Sequence, residues 1–284
     1  MSKTPNKERK KMAKTVEKDI NISSYKKVKV RGNLLYLFVK RTFDICFSLF
    51  ALVLLSLPLS IILLLKSIED YRTPYWKLVI NEVTDKTKKK YIYVNKDGKR
   101  YDLRLVPDKK KNKERGHRWI NPIYKSERIG KDGRVFRFYK IRSMVHHAEN
   151  MKNTLIDYGF NEADEPMFKM ANDPRITKLG RFIRKTSIDE LPQLINVLKG
   201  DLSIVGPRSP ITFEYEQFSD YEKQKCLVKG GLLCLWQIQP NRHSIKFDDW
   251  IELDLKYIEQ RSLWLDIKII FKGVWMVVFD RSGE

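Results

Sequence analysis

The sequence has little of what builds disulfide-stapled, zinc-binding or fibrous proteins. Its three cysteines include no C-x-x-C pair, so neither a disulfide framework nor a zinc site is indicated, and a reducing compartment is favoured. Glycine occurs only 13 times, too rarely for a collagen-like chain. An aromatic content of 12% argues against global disorder. What remains is a folded chain of 284 residues, long enough for a sizeable core.

Acidic residues are also scarce relative to basic ones. Asp and Glu total 35 against 56 Lys and Arg, which gives a formal net charge of +21. An excess of this size predicts anionic partners, which are nucleic acid, anionic lipid head groups or phosphorylated substrates. Composition does not choose among these three classes.

Long apolar runs are absent except for one, residues 43–65, in which Asp44 is the only charge. As a straight helix it would measure about 35 Å, enough for a hydrocarbon core of roughly 30 Å. Pro58 removes a backbone hydrogen bond from its interior, so we expect a break there. The Ser56 hydroxyl is placed to bind a carbonyl that the break frees.

Basic residues flank this run on both sides, and the positive-inside rule therefore places both flanks in the cytoplasm. A run that enters and leaves by one face is predicted to be re-entrant, with a kinked spanning helix as the alternative. Lys40 and Arg41 are predicted to pair with Asp44 at the point of entry.

The remaining pattern predicts an α+β, mostly helical fold with small β-hairpins. Strands are expected at 76–83, 91–94 and 101–106, with a second hairpin over 123–141. Helices are expected over 145–158, from Asp173-Pro174 to Arg184, and over 188–199. Residues 263–279 suit either an amphipathic interfacial helix or a helix docked on the core. The predicted domains are a basic mobile tail (1–32), the re-entrant segment (33–68), a basic β-rich insertion (69–120) and a cytoplasmic catalytic domain (121–284).

Candidate chemistry concentrates between Lys140 and Arg208. Four cations recur there among glycines and prolines, and converging cations suit a diphosphate because arginine binds phosphoryl oxygens bidentately. The adjacent acids Asp189 and Glu190 stand at a predicted helix start. A capping box formed by Ser187 and Glu190 is the structural alternative to a catalytic role for the pair. The four cations are Lys140, Arg142, Arg184 and Arg208.

Residues 40–66, 121–144 and 171–212 resemble the bacterial sugar transferase family, the monotopic polyprenyl-phosphate phosphoglycosyl transferases. The third block carries the most specific part, NDPRITKLGRFIRKTSIDELPQLINVLKGDLSIVGPR. The resemblance implies transfer of a sugar 1-phosphate from a nucleotide sugar, usually a UDP-sugar, to undecaprenyl phosphate, with release of UMP and a need for Mg²⁺. It also implies a bacterial inner-membrane protein whose catalytic domain faces the cytoplasm. The partners expected are the two substrates and membrane lipids, with no nucleic acid, and a homo-oligomer is left open.

Carried over residue by residue, the family's catalytic pair falls on Asp189, as nucleophile, and Glu190. The same two carboxylates are the candidate magnesium ligands. The family's helix-breaking proline falls on Pro58, in agreement with the charge argument. Substrate contacts are implied for Lys140, Arg184, Pro207, Arg208 and Gln237, to which the cation pattern adds Arg142.

Two departures from the family pattern affect these expectations. The proline-arginine-proline motif is here Pro207-Arg208-Ser209, and the segment 230–234 lacks the family's threonine and second glycine. Neither departure touches the acidic pair. A catalytically inert, basic, membrane-attached adaptor for an acidic partner or nucleic acid is the alternative function.

Overall fold

The computed structural model describes residues 27–72, 75–83, 92–116, 119–163, 166–240 and 245–279. Most of the predicted basic tail lies outside these residues. About half of the described residues are helical and the strands form small sheets, so the α+β class is confirmed. The chain divides into two compact units. The first contains Met1–Ala51, Lys125–Tyr139 and Gln193–Arg281, and the second contains Leu52–Tyr124, Lys140–Pro192 and Ser282–Glu284.

The apolar run forms helices α1 (Leu34–Leu54) and α2 (Ser56–Arg72). Pro58 cannot donate to the carbonyl of Leu54 and crowds it, so α1 ends at Leu54 and Pro58 falls in the first turn of α2, where proline is tolerated. The Ser56 hydroxyl donates to the carbonyl of Val53 at 2.8 Å, as predicted. Within the described part of the chain no single helix is long and apolar enough to cross a bilayer. Only α1 and α2 together meet that test, and they are bent by 63° at the break.

The predicted ion pairs of Asp44 with Lys40 and Arg41 are wrong. The buried Asp44 carboxylate accepts hydrogen bonds from the Ser203 hydroxyl and the Ile204 amide, at 3.1 and 3.0 Å. Lys40 instead pairs with Asp266, and Arg41 donates to the carbonyls of Val197 and Leu198, where it caps a helix end. All three charges of this helix therefore fix it to its own unit, because each finds a partner there that is distant in sequence.

The predicted insertion forms an antiparallel sheet in the order β1-β3-β2, with strands β1 (Trp76–Glu82), β2 (Ile92–Val94) and β3 (Arg100–Pro107). The strands of the first hairpin prediction are thereby confirmed. One face of the sheet buries an aromatic and aliphatic core: Tyr101 and Leu103 pack with Leu155 and Phe160. The basic helix α3 (Lys109–Arg115) follows.

The second predicted hairpin is confirmed as β4 (Ile123–Ile129) and β5 (Val135–Ile141). Asp132 and Gly133 both take positive φ, 57° and 73°, which is the backbone that a tight connection of this kind requires. The hairpin matters for the site because Lys140 lies on β5 and Arg142 directly follows it.

Two predicted helices begin later than expected. The segment 145–158 starts with a 3₁₀ turn at Ala148–Met151, and helix α4 covers only Lys152–Asp157. Asp173 is not the N-cap of the next helix, since its carboxylate forms a buried bidentate ion pair with Arg175. Helix α5 (Lys178–Lys185) is capped instead by the Thr177 hydroxyl, which accepts from the Gly180 amide at 2.9 Å.

The predicted helix over 188–199 is interrupted. Residues Ile188–Glu190 form a 3₁₀ turn, and helix α6 runs over Gln193–Lys199. Leu191 keeps right-handed helical angles, φ −54° and ψ −37°, but Pro192 has no backbone N–H to donate to the Ile188 carbonyl, and the two pieces are separated there. Gly200, with φ of 87°, ends α6 as predicted.

The first unit continues with a short parallel pair, β6 (Leu202–Val205) and β7 (Gly230–Leu233), which lies beside the helices. Gly231 approaches Gly206 so closely that a Cβ on Gly231 would lie 2.0 Å from the Gly206 nitrogen. The glycines that this chain keeps in the altered segment 230–234 are therefore required by packing. The helices of this part are α7 (Thr212–Gln217), α8 (Asp220–Lys223), α9 (Phe247–Gln260) and α10 (Leu263–Phe279).

Helix α10 is attached to its unit through a buried polar network. Asp266 accepts from the Tyr257 hydroxyl at 2.7 Å, from the Tyr36 hydroxyl at 3.0 Å and from the Lys40 ammonium at 2.9 Å. The opposite side of α10 leaves Trp264, Phe271 and Trp275 exposed. Both alternatives predicted for residues 263–279 thus have a counterpart in the same helix, a docked face and an exposed apolar face.

Candidate active site

Lys140 joins the two acids that the sequence singled out. Its ammonium nitrogen Nζ lies 3.0 Å from Oδ2 of Asp189 and 3.4 Å from Oε1 of Glu190. The Asp189 side chain is 5% exposed, whereas that of Glu190 is 38% exposed. One carboxylate is therefore enclosed and its neighbour faces solvent, and a single cation offsets part of their mutual repulsion.

The backbone around the acids explains why they point toward Lys140. Ser187 takes a left-handed conformation with φ of 54°, and the Glu190 amide donates to the Ser187 carbonyl at 3.2 Å. An N-cap residue normally has extended backbone angles. The Ser187 side chain forms no capping hydrogen bond, so the predicted capping box is wrong. The acids sit on a tight 3₁₀ turn and are not the first turn of a regular helix.

Arg142 is held by several groups of its own unit. Its backbone amide donates to the Pro122 carbonyl at 2.8 Å and its Nη2 donates to the Asn121 carbonyl at 3.1 Å. Nη1 lies 3.3 Å from Nδ1 of His146, and the guanidinium carbon lies 5.9 Å from the centre of the Tyr124 ring. Burial lowers the pKa of the Arg142 guanidinium, and the negative charge of Asp70 opposes that change.

Arg184 lies in the last turn of α5, directly before the turn that carries the acids. Within the described part of the chain its half-buried side chain makes neither an ion pair nor a side-chain hydrogen bond. A cation without a protein partner at this place is available to an anionic ligand.

An aliphatic core lies under these residues. Ile62 of α2 packs with the buried Ile141 and Ile183, and the partly buried Ile188 packs against them. Helix α2 supplies Leu59, Ile62 and Leu63 to this core. The segments that carry the candidate residues therefore pack against the second helix of the bent pair. These isoleucines are direct chain neighbours of candidate residues: Ile141 of Lys140 and Arg142, Ile183 of Arg184, and Ile188 of Asp189.

Helix α5 approaches the chain after β5 without space for a side chain. A Cβ on Gly180 would lie 1.8 Å from the Ser143 carbonyl oxygen. The same carbonyl accepts from the Thr177 amide at 3.1 Å. This close approach fixes the helix that carries Arg184 against the segment that carries Arg142.

The other three predicted substrate-binding residues belong to the first unit. The carbonyl of the buried Pro207 accepts from the Gly231 amide at 2.9 Å. Arg208 Nη2 lies 3.6 Å from Oε1 of Glu214, and its guanidinium carbon lies 5.9 Å from the Trp250 ring centre. Gln237 uses its side-chain oxygen to accept from the Cys234 amide at 2.7 Å. Arg208 is partly exposed, whereas the hydrogen bonds of Pro207 and Gln237 hold the local backbone.

Asp189 and Glu190 are the predicted magnesium ligands. Among the described residues there is no group of three or more His, Cys, Asp or Glu side chains that could hold a metal ion. Mg²⁺ is nevertheless commonly bound through one or two carboxylates together with substrate phosphates and water. The pair Asp189 and Glu190 fits that mode, in which the substrate supplies the remaining ligands.

The sequence matches the family model described as bacterial sugar transferase over residues 115–280, more than half of the chain. It is 50% identical over 162 residues to the galactosyl transferase CpsE of Streptococcus agalactiae, covering 57% of this chain and 36% of that protein. It is 44% identical over 163 residues to the undecaprenyl-phosphate galactose phosphotransferase of Salmonella typhimurium, covering 57% of this chain and 34% of that protein.

A third relative is shorter. The exopolysaccharide production protein ExoY of Rhizobium meliloti is 32% identical over 163 residues, which cover 57% of this chain and 72% of ExoY. The chain thus spans about a third of the length of the first two relatives and most of the length of ExoY. All of the candidate residues from Lys140 to Gln237 lie inside the range that the family model matches.

Proposed function

Because this chain belongs to the bacterial sugar transferase family, we propose that it transfers a sugar 1-phosphate from a UDP-sugar to undecaprenyl phosphate and releases UMP. The reaction would be the first membrane step in assembling a glycan. The observation that carries the proposal is the contact of the Lys140 ammonium with both Asp189 and Glu190, at 3.0 and 3.4 Å. Relatives support the substrate class, since one is named for undecaprenyl phosphate and galactose and another for UDP-glucose and undecaprenyl phosphate.

Asp189 acts as the nucleophile in this proposal. One of its carboxylate oxygens forms a bond to the β-phosphorus, and the bond from that phosphorus to the oxygen bridging the two phosphates breaks. UMP leaves with the bridging oxygen, and the sugar phosphate stays on Asp189. An oxygen of undecaprenyl phosphate then attacks the same phosphorus, and the bond to Asp189 breaks, which restores the carboxylate.

The neighbours of Asp189 have separate tasks. Lys140 neutralises the nucleophile until the donor phosphates arrive, and then faces the negative charge that the phosphoryl oxygens carry. Glu190, the more exposed acid, accepts a proton from the attacking lipid phosphate when that phosphate is monoprotonated. Since Asp189 is nearly enclosed, substrates reach it past the more exposed Lys140 and Glu190 side chains.

In this proposal, arginine side chains bind the phosphates of the donor. Arg184 has no protein partner in the described residues and is therefore free to bind a phosphate. Arg142 is partly held by neighbouring groups of its own unit, which reduces the conformational entropy lost on binding. Magnesium, when bound by Asp189, Glu190 and the donor phosphates, would neutralise charge on the diphosphate.

A donor panel tests the function directly. We expect UMP release that requires both undecaprenyl phosphate and one donor from a set of UDP-sugars, with UDP-galactose and UDP-glucose tested first. Asp189→Asn should abolish UMP release and any sugar-phosphate adduct on the protein, because the amide is a poor nucleophile. Asp132→Asn is a matched control, since Asp132 is an exposed acid in the β4–β5 turn. Normal turnover by Asp189→Asn would contradict the covalent mechanism.

The same panel separates the enzyme from the adaptor alternative. An inert adaptor would release no UMP from any donor and would bind nucleic acid or an acidic protein with strong dependence on salt. An enzyme would show turnover, and its weak nucleic-acid binding would not change with loss of Asp189.

The bent pair α1–α2 is, in this proposal, a re-entrant membrane segment with both ends in the cytoplasm. Exposed apolar side chains along both helices support burial in lipid; they include Leu34, Phe38, Phe50, Val53, Leu57, Ile61 and Leu64. Since the segments that carry the candidate residues pack against α2, a lipid-borne acceptor in the same leaflet would arrive close to them.

Cysteine labelling distinguishes this arrangement from a kinked spanning helix. For this experiment the exposed Cys46 is first changed to serine, so that it does not react. Cys226 and Cys234 stay in place because both are buried, and burial raises the pKa of the Cys226 thiol to about 12. In that background Val30→Cys and Lys77→Cys report the two flanks. A membrane-impermeant maleimide should label both only from the cytoplasmic side. Labelling of the two positions from opposite sides would favour the spanning helix.

A further inference from the structure

A buried cluster of charges closes the cytoplasmic end of α2. The Lys66 ammonium, which is fully buried, lies 2.7 Å from Oε2 of Glu69 and 2.8 Å from Oδ1 of Asp70. Glu69 Oε2 also accepts from the Thr177 hydroxyl at 2.9 Å, and Thr177 is the N-cap of α5. Two acids thus surround one lysine, and the cluster carries one negative charge more than Lys66 can neutralise.

The excess charge faces Arg142. Oδ2 of Asp70 lies 3.8 Å from Nε of Arg142, and both atoms are buried without a hydrogen-bond partner among the residues that the structure describes. The other Arg142 nitrogens are engaged with Asn121 and His146. Unpaired buried polar atoms are rare and cost stability. Because Asp70 Oδ2 and Arg142 Nε face each other at 3.8 Å, we expect this distance to shorten when the donor binds.

The alternation of side chains relates Arg142 to the candidate site. Residues two apart in extended chain point to the same side, so Arg142 extends from the same side as Lys140, whose ammonium contacts Asp189 and Glu190. The Arg142 amide bond to the Pro122 carbonyl continues the strand pairing past the end of β5. The groups that face Asp70 are therefore Lys66 and Arg142, with Glu69 beside them on the same helix.

We propose that Asp70 is a positioning residue that orients Arg142 toward the diphosphate of the nucleotide sugar, and so links the end of the membrane helix to donor binding. The inference rests on the proposed function. Burial raises the pKa of the Asp70 carboxyl, and the neighbouring Lys66 and Arg142 oppose the rise. Lys66 contacts Glu69 and the Oδ1 atom of Asp70, and the Oδ2 atom of Asp70 faces Arg142.

The test is a double-mutant cycle on donor KM. Asp70→Asn keeps the shape and leaves Lys66 paired with Glu69, and should raise the donor KM by about 10-fold, the size expected for one charge-assisted hydrogen bond. kcat should change much less, because the dyad is untouched. In an Arg142→Met background Asp70→Asn should have no further effect, since a residue that acts through Arg142 has nothing left to orient.

Controls separate positioning from folding. Asp102→Asn removes another buried acid of the same unit, one that pairs with Arg104 in the β-insertion, and should leave donor KM unchanged. The double variant Lys66→Met/Asp70→Asn removes both charges of the buried ion pair. The donor KM of this double variant should be as high as that of Asp70→Asn alone. Recovery of the wild-type KM in this double variant, or a full effect of Asp70→Asn in the Arg142→Met background, would overturn the proposal.

Binding of UDP, measured by calorimetry, distinguishes failure of this inference from failure of the proposed function. If the unmodified protein turns over donor but Asp70→Asn matches it in KM and UDP affinity, only the positioning role is wrong. If no donor is turned over, weaker UDP binding by Asp70→Asn still supports the role of Asp70. Absence of UDP binding by the unmodified protein would overturn both.

Discussion

The β-insertion and the region of the acidic pair belong to the same unit but are assembled in different ways. The strands of the insertion are chain neighbours, since β3 pairs with both β1 and β2, and the core of the insertion also includes Leu155 and Phe160. The acidic pair depends on distant partners, because Lys140 meets Asp189 across 49 positions and their chain neighbours Ile141 and Ile188 pack in the same core as Ile62 of α2. The strands of the insertion therefore pair with one another, whereas the segments around the acidic pair pack on the helix that we propose lies in the membrane.

This difference predicts where substitutions affect activity and where they affect only stability. In the site, the Lys140 ammonium contacts both Asp189 and Glu190, so the loss of one of these charges changes the electrostatics of the other two. In the insertion most charges are exposed and most of the stabilising contacts are apolar. Changes there should leave the catalytic groups unaltered.

The largest effect is expected for Lys140→Met. Without the ammonium, Asp189 and Glu190 repel each other and the donor phosphates lose a cation, so kcat/KM for UMP release should fall by about 100-fold or more. Lys131→Met is the matched control, because Lys131 is exposed and pairs only with Asp132 in the β4–β5 turn. Activity of Lys140→Met within a few-fold of the unmodified protein would show that the contact is only structural.

A smaller effect is expected for Gly180→Ala. The added methyl meets the Ser143 carbonyl, so α5 must shift away from the segment that carries Arg142, and kcat/KM should fall by about 10-fold. Gly98→Ala in the insertion provides the contrast. Gly98 has φ of 75° with open space around it, so alanine there should cost about 1 kcal/mol of stability and no activity. Equal losses of activity in the two variants would remove the distinction between the regions.

Leu103→Ala should affect stability alone. Leu103 is 1% exposed in the core of the insertion, and its truncation should lower the free energy of unfolding by about 2–5 kcal/mol. Thermal unfolding in detergent measures the loss, and UMP release per folded molecule should stay unchanged. A fall in kcat at a temperature where the variant is still folded would mean that the insertion supports the site.

The smallest effect is expected for replacing Lys109, Lys110 and Lys111 by glutamine. These side chains are exposed on α3, and each substitution should change stability by less than about 0.5 kcal/mol. UMP release should stay within about two-fold of the unmodified protein, because exposed charges are screened at physiological salt. A larger change would assign the basic helix a part in the reaction.

Local signals were read correctly where the chain itself enforces them. Asp132-Gly133 closes a hairpin, Pro58 separates two helices and Gly200 ends a third, because each of these residues restricts or frees its own backbone. Signals that depend on a side-chain partner give wrong predictions. Asp173 before a proline resembled an N-cap, yet its carboxylate is taken by Arg175, and Ser187 and Glu190 matched a capping box that the left-handed Ser187 does not form.

The sequence by itself determined the fold class, the family, the acidic pair and the break in the apolar run, since these follow from residue identity and short-range spacing. Only the tertiary structure decided which charges meet: Lys40 with Asp266, Lys140 with the acidic pair, and Asp70 opposite Arg142. The physical reason is that ion-pair partners are determined by distance in space and by the free-energy cost of an unpaired buried charge. Neither quantity can be derived from the separation of two residues along the chain.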